Sequence, residues 1–218
     1  WATGVDEAAH CTVIVVANTN PYTEKFDNVF TSLPECWDHT NDYGSTDWEV
    51  SSSFDGSVLS AHSGSKALQF YQSGSGDESS VQMPTFDISG VTNPSITYWY
   101  TNEDWAGDQD ELIVYYRATP TAAWTQLATH YSSVSTWTKD SLTLPNPSAT
   151  YQIKFKGLSN YGYGINIDDI TISGGGGSPA IVDPTVTTQA ADNISANAAT
   201  LHGTVTAGSE SITSQGFE

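Results

Sequence analysis

The stretch Gly164-Ile-Asn-Ile-Asp-Asp-Ile-Thr-Ile172 places two adjacent aspartates, Asp168 and Asp169, inside an otherwise apolar run. Isoleucine and threonine favour β-strands, so the run predicts a buried strand. Burying a carboxylate is costly unless it is hydrogen-bonded, paired or bound to a metal ion. We therefore expect this strand to contribute to a cation site, just before a glycine run, Gly174–Gly177, that ends a domain.

The charge balance of the chain limits its partners. The 218 residues include 25 acidic and 6 basic side chains, for a net charge of −19. Nucleic acids and anionic membrane surfaces are bound through lysine and arginine, so both are excluded as expected partners. No stretch approaches the roughly 18 apolar residues that span a bilayer, so no membrane insertion is expected. An acidic surface suits a secreted protein that meets divalent cations, although it also simply favours solubility.

The two cysteines, Cys11 and Cys36, allow a single intramolecular disulfide. It would close a loop of about 25 residues and stabilise the fold by roughly 3 kcal/mol in the chain-entropy model. The alternative is a pair of free buried thiols. Because the chain begins at Trp1 and carries no signal peptide, we expect it to be a segment of a longer polypeptide.

Short, regularly spaced apolar runs predict strands throughout the chain, without a convincing amphipathic helix. The candidate strands are Cys11–Ala17, Ala67–Gln72, Ser95–Tyr100, Glu111–Arg117, Trp124–Ala128, Tyr151–Gly157 and Ile165–Ile172, with turn-rich pieces at Ser73–Ser80 and Pro145–Ser148. The expected organisation is a lead-in at 1–20, a main domain at 21–173, a Gly/Pro linker at 174–183 and the start of a second β-domain at 184–218. This predicts an all-β chain: a jelly-roll β-sandwich followed by a partial Ig/fibronectin-like domain.

Several motifs together resemble one family. They are Tyr22–Asp27, Leu33–Trp37, Ala61–Leu68 and Ile165–Ile170. In this order and spacing they are similar to MAM-like and cleaved-adhesin (gingipain-type) domains, over about residues 21–173. The tail, Pro184–Phe217, resembles the start of a fibronectin type III repeat.

The resemblance implies a jelly roll with structural calcium where the first strand meets the closing strand. Asp27 occupies the position of the acidic residue after phenylalanine, and Asp168 or Asp169 that of the closing-strand carboxylate. The turn at His62 and Ser63 is implied to offer backbone carbonyls. Calcium takes about six to eight oxygens from carboxylates, carbonyls and water, which suits this set. The alternative is a hydrogen-bonded aspartate pair without metal.

A weaker second calcium candidate lies at Asp38–Gly44, where Asp38 and Asp42 space oxygens along a loop somewhat like the start of an EF-hand. The segment lacks the remaining EF-hand ligand positions and the terminal glutamate. An ordinary turn rich in Asp and Asn is the alternative.

The segment Asn102–Glu111 is the candidate ligand-binding loop. It concentrates five carboxylates around Trp105, and the residues predicted to contact a ligand are Trp105, Asp104, Asp108 and Asp110. The tryptophan would present its face to a sugar while the acids accept hydroxyl hydrogen bonds, or the acids would hold calcium. The alternative is a solvated acidic hairpin. Trp99, on a predicted strand, is a further possible stacking platform, although large aromatics more often fill a core.

No motif predicts catalysis. The acidic pairs suggest a glycosidase, but Asp108-Gln-Asp-Glu111 lacks the Glu-x-Asp-x-Glu pattern of jelly-roll glycosidases. A nucleophile elbow, a His-Glu-x-x-His motif and a phosphate loop are all absent from the sequence.

We therefore expect a non-enzymatic, calcium-stabilised adhesin or binding module, secreted to the cell surface, that recognises a host protein or a glycan. A carbohydrate-binding module attached to a glycan-degrading enzyme and a structural spacer in a surface fibre are the alternatives. The incomplete second domain also predicts self-association by strand addition.

Overall fold

The structure is a computed structural model that describes residues 12–14, 21–30, 33–71, 74–174 and 185–206. The chain divides into two compact units, residues 1–175 and 176–218. The described residues form strands, turns and loops and contain no helix, which confirms the all-β prediction. Consequently no helix in the described part of the chain is long and apolar enough to cross a membrane.

The strands of the first unit are short, as the sequence indicates. They are β1 (Thr12–Ile14), β2 (Tyr22–Glu24), β3 (Asp38–Tyr43), β4 (Glu49–Ser51), β5 (Ala67–Phe70), β6 (Ser75–Gln82), β7 (Thr85–Asp87), β8 (Pro94–Asn102), β9 (Glu111–Arg117), β10 (Thr125–His130), β11 (Val134–Thr143), β12 (Gln152–Asn160) and β13 (Ile165–Gly174). In the second unit, β14 (Thr185–Asp192) and β15 (Thr200–Thr206) follow.

Two antiparallel sheets form the first unit. One has the strand order β10-β9-β12-β6-β3, and the other has the order β11-β8-β13-β5-β4, with β2 also paired to β13. A short parallel pair, β1 with β7, stands apart from both sheets. One hydrophobic core draws residues from both sheets, so the unit is a β-sandwich, as predicted.

Alternation along β12 shows why the sequence folds this way. On this strand Ile153 and Phe155 are fully buried, as is Tyr151 just before it, whereas Lys154 and Lys156, which alternate with them, are partly exposed. This period of two puts every second side chain into the core between the sheets. The other face of the five-stranded sheet is therefore left for polar side chains.

The turn predicted at Ser73–Ser80 is wrong, because residues from Ser75 onward form β6. This strand is paired on both edges, with β12 and with β3, and Ser79 is fully buried. Serine, glycine and aspartate disfavour strands, but pairing on both edges overrides that local preference.

The second unit contains an antiparallel hairpin of β14 and β15. Residues 207–218 of the predicted second domain lie outside the described residues, so the fibronectin-like assignment and the predicted strand addition stay predictions. Cys36 is disulfide-bonded. Its predicted partner, Cys11, lies outside the described residues, so the Cys11–Cys36 pairing also stays a prediction.

Candidate functional site

The two aspartates of β13 lie where the strand changes partners. On one edge β13 pairs with β8 along most of its length. On the other edge, Ile165–Ile167 pair with β5 and Ile170–Ile172 pair with β2. Asp168 and Asp169 fall between these two stretches, and a bulge begins there on the β8 side. Asp169 has a φ of 47°, the left-handed conformation that aspartate tolerates better than most residues.

The turn before β5 contacts both aspartates. The backbone N–H of Ser63 donates to Oδ2 of Asp168 at 3.0 Å, and the Ser63 hydroxyl donates to Oδ1 of Asp169 at 2.8 Å. The Nδ1 atom of His62 lies 2.6 Å from Oδ2 of Asp169. The structure thus brings two pairs of predicted site residues together, His62 and Ser63 with Asp168 and Asp169, across more than 100 positions of the chain.

The two carboxylates differ in their electrostatics. Asp168 is fully buried, and burial raises its pKa to about 6 although the N–H groups of Ser63 and Asp169 act in the opposite direction. Burial also acts to raise the pKa of Asp169, but bonds from His62 and Ser63 and the nearby Lys25 ammonium, at 3.6 Å, outweigh it and lower that pKa. Asp169 is therefore held ionised, whereas the negative charge on Asp168 is costly.

Aromatic rings fix the orientation of His62. Its imidazole stacks on Trp99 with ring centroids 3.8 Å apart and meets the edge of Trp137 at 6.0 Å. The Trp137 indole N–H in turn donates to the backbone carbonyl of Ser60 at 3.0 Å. One face of Trp99 is therefore covered by His62 and is not available as a sugar platform.

Asp27 approaches the same turn from the segment after β2. Its Oδ1 accepts the backbone N–H of Ser65 at 2.7 Å. The carboxylate lies directly over Gly64, where a Cβ atom would stand only 1.9 Å from Oδ2 of Asp27. Gly64 has a φ of +63°, so the position suits glycine on two grounds.

The oxygen atoms at this site meet part of what a calcium ion requires. Carboxylate oxygens from Asp27, Asp168 and Asp169 all meet the four-residue turn His62–Ser65, and hard oxygens are what calcium prefers. The possible ligand atoms of His62, Asp168 and Asp169 lie within 4.8 Å of one another. The turn presents N–H groups to Asp27 and Asp168, whereas the resemblance implied that it offers carbonyls. The carboxylates of Asp168 and Asp169 are thus the oxygens that would hold the ion, and His62 orients Asp169. Asp27 contacts the same turn but is not part of this group of ligand atoms.

The structure does not support the second calcium candidate. Asp38 and Asp42 lie on strand β3 rather than in a loop. Four residues along a strand span about 13 Å, too far for two carboxylates to share one ion. Asp42 instead accepts the hydroxyl of Ser80 at 2.7 Å and lies 3.6 Å from the Lys156 ammonium.

The predicted ligand loop connects β8 in one sheet to β9 in the other. Trp105 is 50% exposed at its tip, where two backbone hydrogen bonds of 2.9 Å close a tight turn between Trp105 and Asp108. Asp104 stabilises that turn by accepting the N–H of Gly107, also at 2.9 Å. Asp108, which pairs with Trp105 through the backbone, is exposed.

Asp110 differs from its neighbours because it is buried, at 1% exposure. Its carboxylate accepts the N–H groups of Asn160, Gly162 and Gly164 at 2.6–3.0 Å. Burial raises the pKa of Asp110, against the effect of those three donors. Asp110 therefore holds the loop before β13 in place and does not face a ligand, which corrects its predicted role.

Several loops converge at this end of the sandwich, which we call the loop end. Asp104 N–H donates to the Ser133 hydroxyl at 3.1 Å, and Tyr163 N–H donates to the Glu103 carbonyl at 3.0 Å. The exposed aromatic side chains on these loops are Tyr71, Trp105, Tyr131 and Tyr161. Sequence analysis identified only Trp105 among them, because isolated tyrosines in loops carry no signal of their own.

Comparison with known proteins places this geometry in a family. The model of the family described as MAM domain, meprin/A5/mu, matches residues 28–176. The chain belongs to the MAM domain family, which confirms the resemblance inferred from the sequence.

Solved structures with the same fold agree. The K1 cleaved adhesin domain of Lys-gingipain from Porphyromonas gingivalis W83 matches with a TM-score of 0.56 and 17% identity, over 72% of this chain and 99% of that chain. The K2 domain of Lys-gingipain gives a TM-score of 0.56 and 19% identity, over 71% and 98%. At these identities the likeness establishes the fold alone. A search of curated proteins found no match.

Proposed function

We propose that the chain is a non-catalytic binding module of a secreted or cell-surface protein, and that the loop end recognises a host protein or a glycan. The observation that carries the proposal is the cluster of exposed aromatic side chains there. Tyr71, Trp105, Tyr131 and Tyr161 are 38%, 50%, 59% and 46% exposed. Aromatic side chains that combine a solvent-exposed polar edge with an apolar face are typical of recognition surfaces.

The loop end is also held in shape before any ligand arrives. The buried Asp110 carboxylate anchors the loop that carries Tyr161, and hydrogen bonds at Asp104 and Glu103 tie the Trp105 loop to its neighbours. A preorganised surface loses less conformational entropy on binding than a flexible one. Rigid loops on a sandwich scaffold are a common arrangement for recognition.

Calcium has a structural part in the proposal. An ion held by Asp168 and Asp169 would offset the cost of the buried Asp168 charge and fix the bulge of β13 against the turn before β5. The fully buried position of Asp168 supports this. The site would stabilise the sandwich and would not contact the ligand.

The test is a binding screen of the whole chain against mammalian cell-surface proteins and a glycan array, followed by Trp105→Ala. Phe30→Ala is the matched control, because Phe30 is 91% exposed and lies beside Lys66, before β5, whereas Tyr71 follows β5 at the loop end. We expect Trp105→Ala to lower affinity at least tenfold and Phe30→Ala to leave it unchanged.

The outcomes separate the alternatives. Binding to glycans alone would favour a carbohydrate-binding module, and binding to proteins would favour an adhesin. Absence of binding at high micromolar concentration would refute the proposal and leave a structural spacer. Equal losses in the two variants would show that the loop end is not the binding surface.

A further inference from the structure

The few basic residues of this acidic chain are unevenly distributed. Three of the six, Arg117, Lys154 and Lys156, lie on β9 and β12 of the five-stranded sheet. Ile153 and Phe155 are fully buried in the core, so Lys154 and Lys156 project from the opposite, outer face of the sheet. Half of the positive charge of the protein is thus concentrated on two adjacent strands.

Strand register puts Arg117 on that same outer face. Arg117 pairs with Gln152 and Tyr115 pairs with Lys154 across the two strands. Residues paired in an antiparallel sheet point to the same side. The Arg117 Nε–H donates to the Gln152 side-chain oxygen, which confirms the orientation.

Two of the three cations are not neutralised. Lys156 forms ion pairs with Glu78 at 2.7 Å and with Asp42 at 3.6 Å. Neither Arg117 nor Lys154 has a carboxylate within 4.0 Å among the described residues. Lys66 and Lys139 also have no carboxylate within 4.0 Å among the described residues, so the missing ion pair alone does not distinguish Arg117 and Lys154. What distinguishes these two cations is that they lie together on adjacent strands.

Aromatic rings flank the two unpaired cations. The Arg117 guanidinium lies 4.4 Å from the ring centre of Trp124, and the Lys154 ammonium lies 5.0 Å from the same ring and 5.2 Å from that of Tyr115. We call Tyr115, Arg117, Trp124 and Lys154 the cationic patch. All four side chains are partly exposed.

The electrostatics of the patch favour an added anion. Burial lowers the pKa of Lys154, and Lys156 and Arg117 lower it further, while Asp42 opposes them. Burial likewise lowers the pKa of Arg117. The positive charges are thus partly desolvated, and no described carboxylate lies within 4.0 Å of Arg117 or Lys154, so a bound carboxylate could pair with them directly.

We propose that the cationic patch binds a uronate-bearing oligosaccharide, with the sugar carboxylate on Arg117 and Lys154 and a pyranose ring against Tyr115 or Trp124. Arginine presents a planar fork that matches a carboxylate, and aromatic side chains offer an apolar surface to a sugar ring. Nucleic acid is disfavoured because its many phosphates would meet a chain of net charge −19. A single sugar carboxylate needs only the local cations, since the distant acidic surface is screened within about 8 Å at physiological salt.

The patch is separate from the loop end. Arg117 ends the strand that Glu111 begins, roughly 20 Å from the Trp105 loop along β9. Binding at the cationic patch therefore does not depend on ligand recognition at the loop end, and Trp105→Ala is expected to leave binding at the patch unchanged.

The test is isothermal titration of the whole chain with α-1,4-linked trigalacturonate at 150 mM salt. The matched probes are its trimethyl ester, which keeps the rings and removes the charge, and a hexaglutamate peptide, which keeps carboxylates without sugar rings. We expect trigalacturonate to bind at least tenfold more tightly than either probe. Lys154→Gln and Arg117→Gln should each weaken binding at least tenfold.

Lys139→Gln is the control variant, because Lys139 is exposed on β11 of the other sheet. It should not change the affinity. Equal losses in Lys139→Gln would show non-specific charge attraction and overturn the proposal. Equal affinity for the methyl ester or for hexaglutamate, or no binding of trigalacturonate by the folded protein, would overturn it as well.

Discussion

The Nδ1 atom of His62 lies 2.6 Å from Oδ2 of Asp169, a contact that joins the turn before β5 to the bulge of β13. The same turn carries Ser63, which hydrogen-bonds both Asp168 and Asp169. Two segments that are distant in sequence are therefore joined by one cluster of carboxylates.

Calcium should raise the thermal stability of the protein. At 100 times its dissociation constant, a ligand specific for the folded state adds about 2.7 kcal/mol, or roughly 5 to 10 °C in Tm for a domain of this size. We expect that shift between EDTA and millimolar calcium by scanning calorimetry. Asp168→Asn should abolish it, whereas Asp108→Asn, on the exposed loop, should not. An unchanged Tm would show a hydrogen-bonded aspartate pair without metal.

Gly64→Ala should destabilise the sandwich more than Gly76→Ala. Both glycines have positive φ, +63° and +95°, so each alanine carries backbone strain of about 1 kcal/mol. A Cβ at Gly64 also meets the Asp27 carboxylate at 1.9 Å, whereas no described atom lies within 4 Å of one at Gly76. Urea denaturation should show a loss of about 3 kcal/mol or more for Gly64→Ala and about 1 kcal/mol for Gly76→Ala. Equal losses would mean that Asp27 moves away freely.

Asp110→Asn should loosen the loop end. Oδ1 of Asp110 accepts two backbone N–H groups and Oδ2 accepts a third, from Gly164. An asparagine amide would point an N–H₂ group at one of these donors and leave a buried N–H unsatisfied, at a cost of about 1 to 3 kcal/mol. Hydrogen exchange should speed up at residues 160–164, while Asp104→Asn should leave those amides protected. Unchanged exchange would contradict the anchoring role.

His130 should make stability fall on the acid side of neutrality. Burial lowers its pKa, although Asp140 opposes the effect, and its ring contacts Tyr98 and Tyr100. The unfolded chain, with a histidine pKa of about 6.5, then binds the proton more readily than the folded one. Stability is therefore complete above about pH 6.5 and declines as the pH falls toward the folded-state value.

The measurement is the free energy of unfolding from pH 5 to 8 in His130→Gln and in the parent protein. The variant should show a flatter curve in this window. A parent curve that rises toward acid pH, with the variant flat, would reverse the assigned sign.

Reduction should destabilise the first unit if Cys11 is the partner of Cys36. A disulfide that closes a loop of about 25 residues stabilises the folded state by roughly 3 kcal/mol in the chain-entropy model. Peptide mapping of the unreduced protein should find a Cys11–Cys36 linked pair, and Cys11→Ser and Cys36→Ser should lower stability equally. Free Cys11 in the map would contradict the pairing.

The strands that the sequence predicts are those with clear apolar alternation. Glu111–Arg117 was predicted with its observed bounds, and the strand at Ile165–Ile172 extends only to Gly174. Strands β3 and β6 escaped prediction because their serines, aspartates and asparagines resemble turns. Their pairing with each other and with β12 is a long-range property that no local window contains.

The same distinction applies to the site. Adjacent buried aspartates indicated a carboxylate site, and the structure places His62, Ser63 and Asp27 beside it. The stacking of His62 on Trp99 and the buried position of Asp110 were not predictable, since both depend on which residues meet across the sandwich. The unpaired cations of the outer sheet likewise appear only once the register of β9 and β12 is known.

The pairing of β2 with β13 limits when the sandwich can form during synthesis. Thr23 lies opposite Thr171, 148 positions later in the chain. Because the N-terminus of a chain leaves the ribosome first, β2 has no strand to pair with until nearly the whole unit has emerged. Pairings at such separation slow folding, since a large loop must close before the contact is gained. The incomplete unit would thus remain open for seconds at typical elongation rates of about 5 to 20 residues per second, a period in which chaperones have access to its unpaired edge.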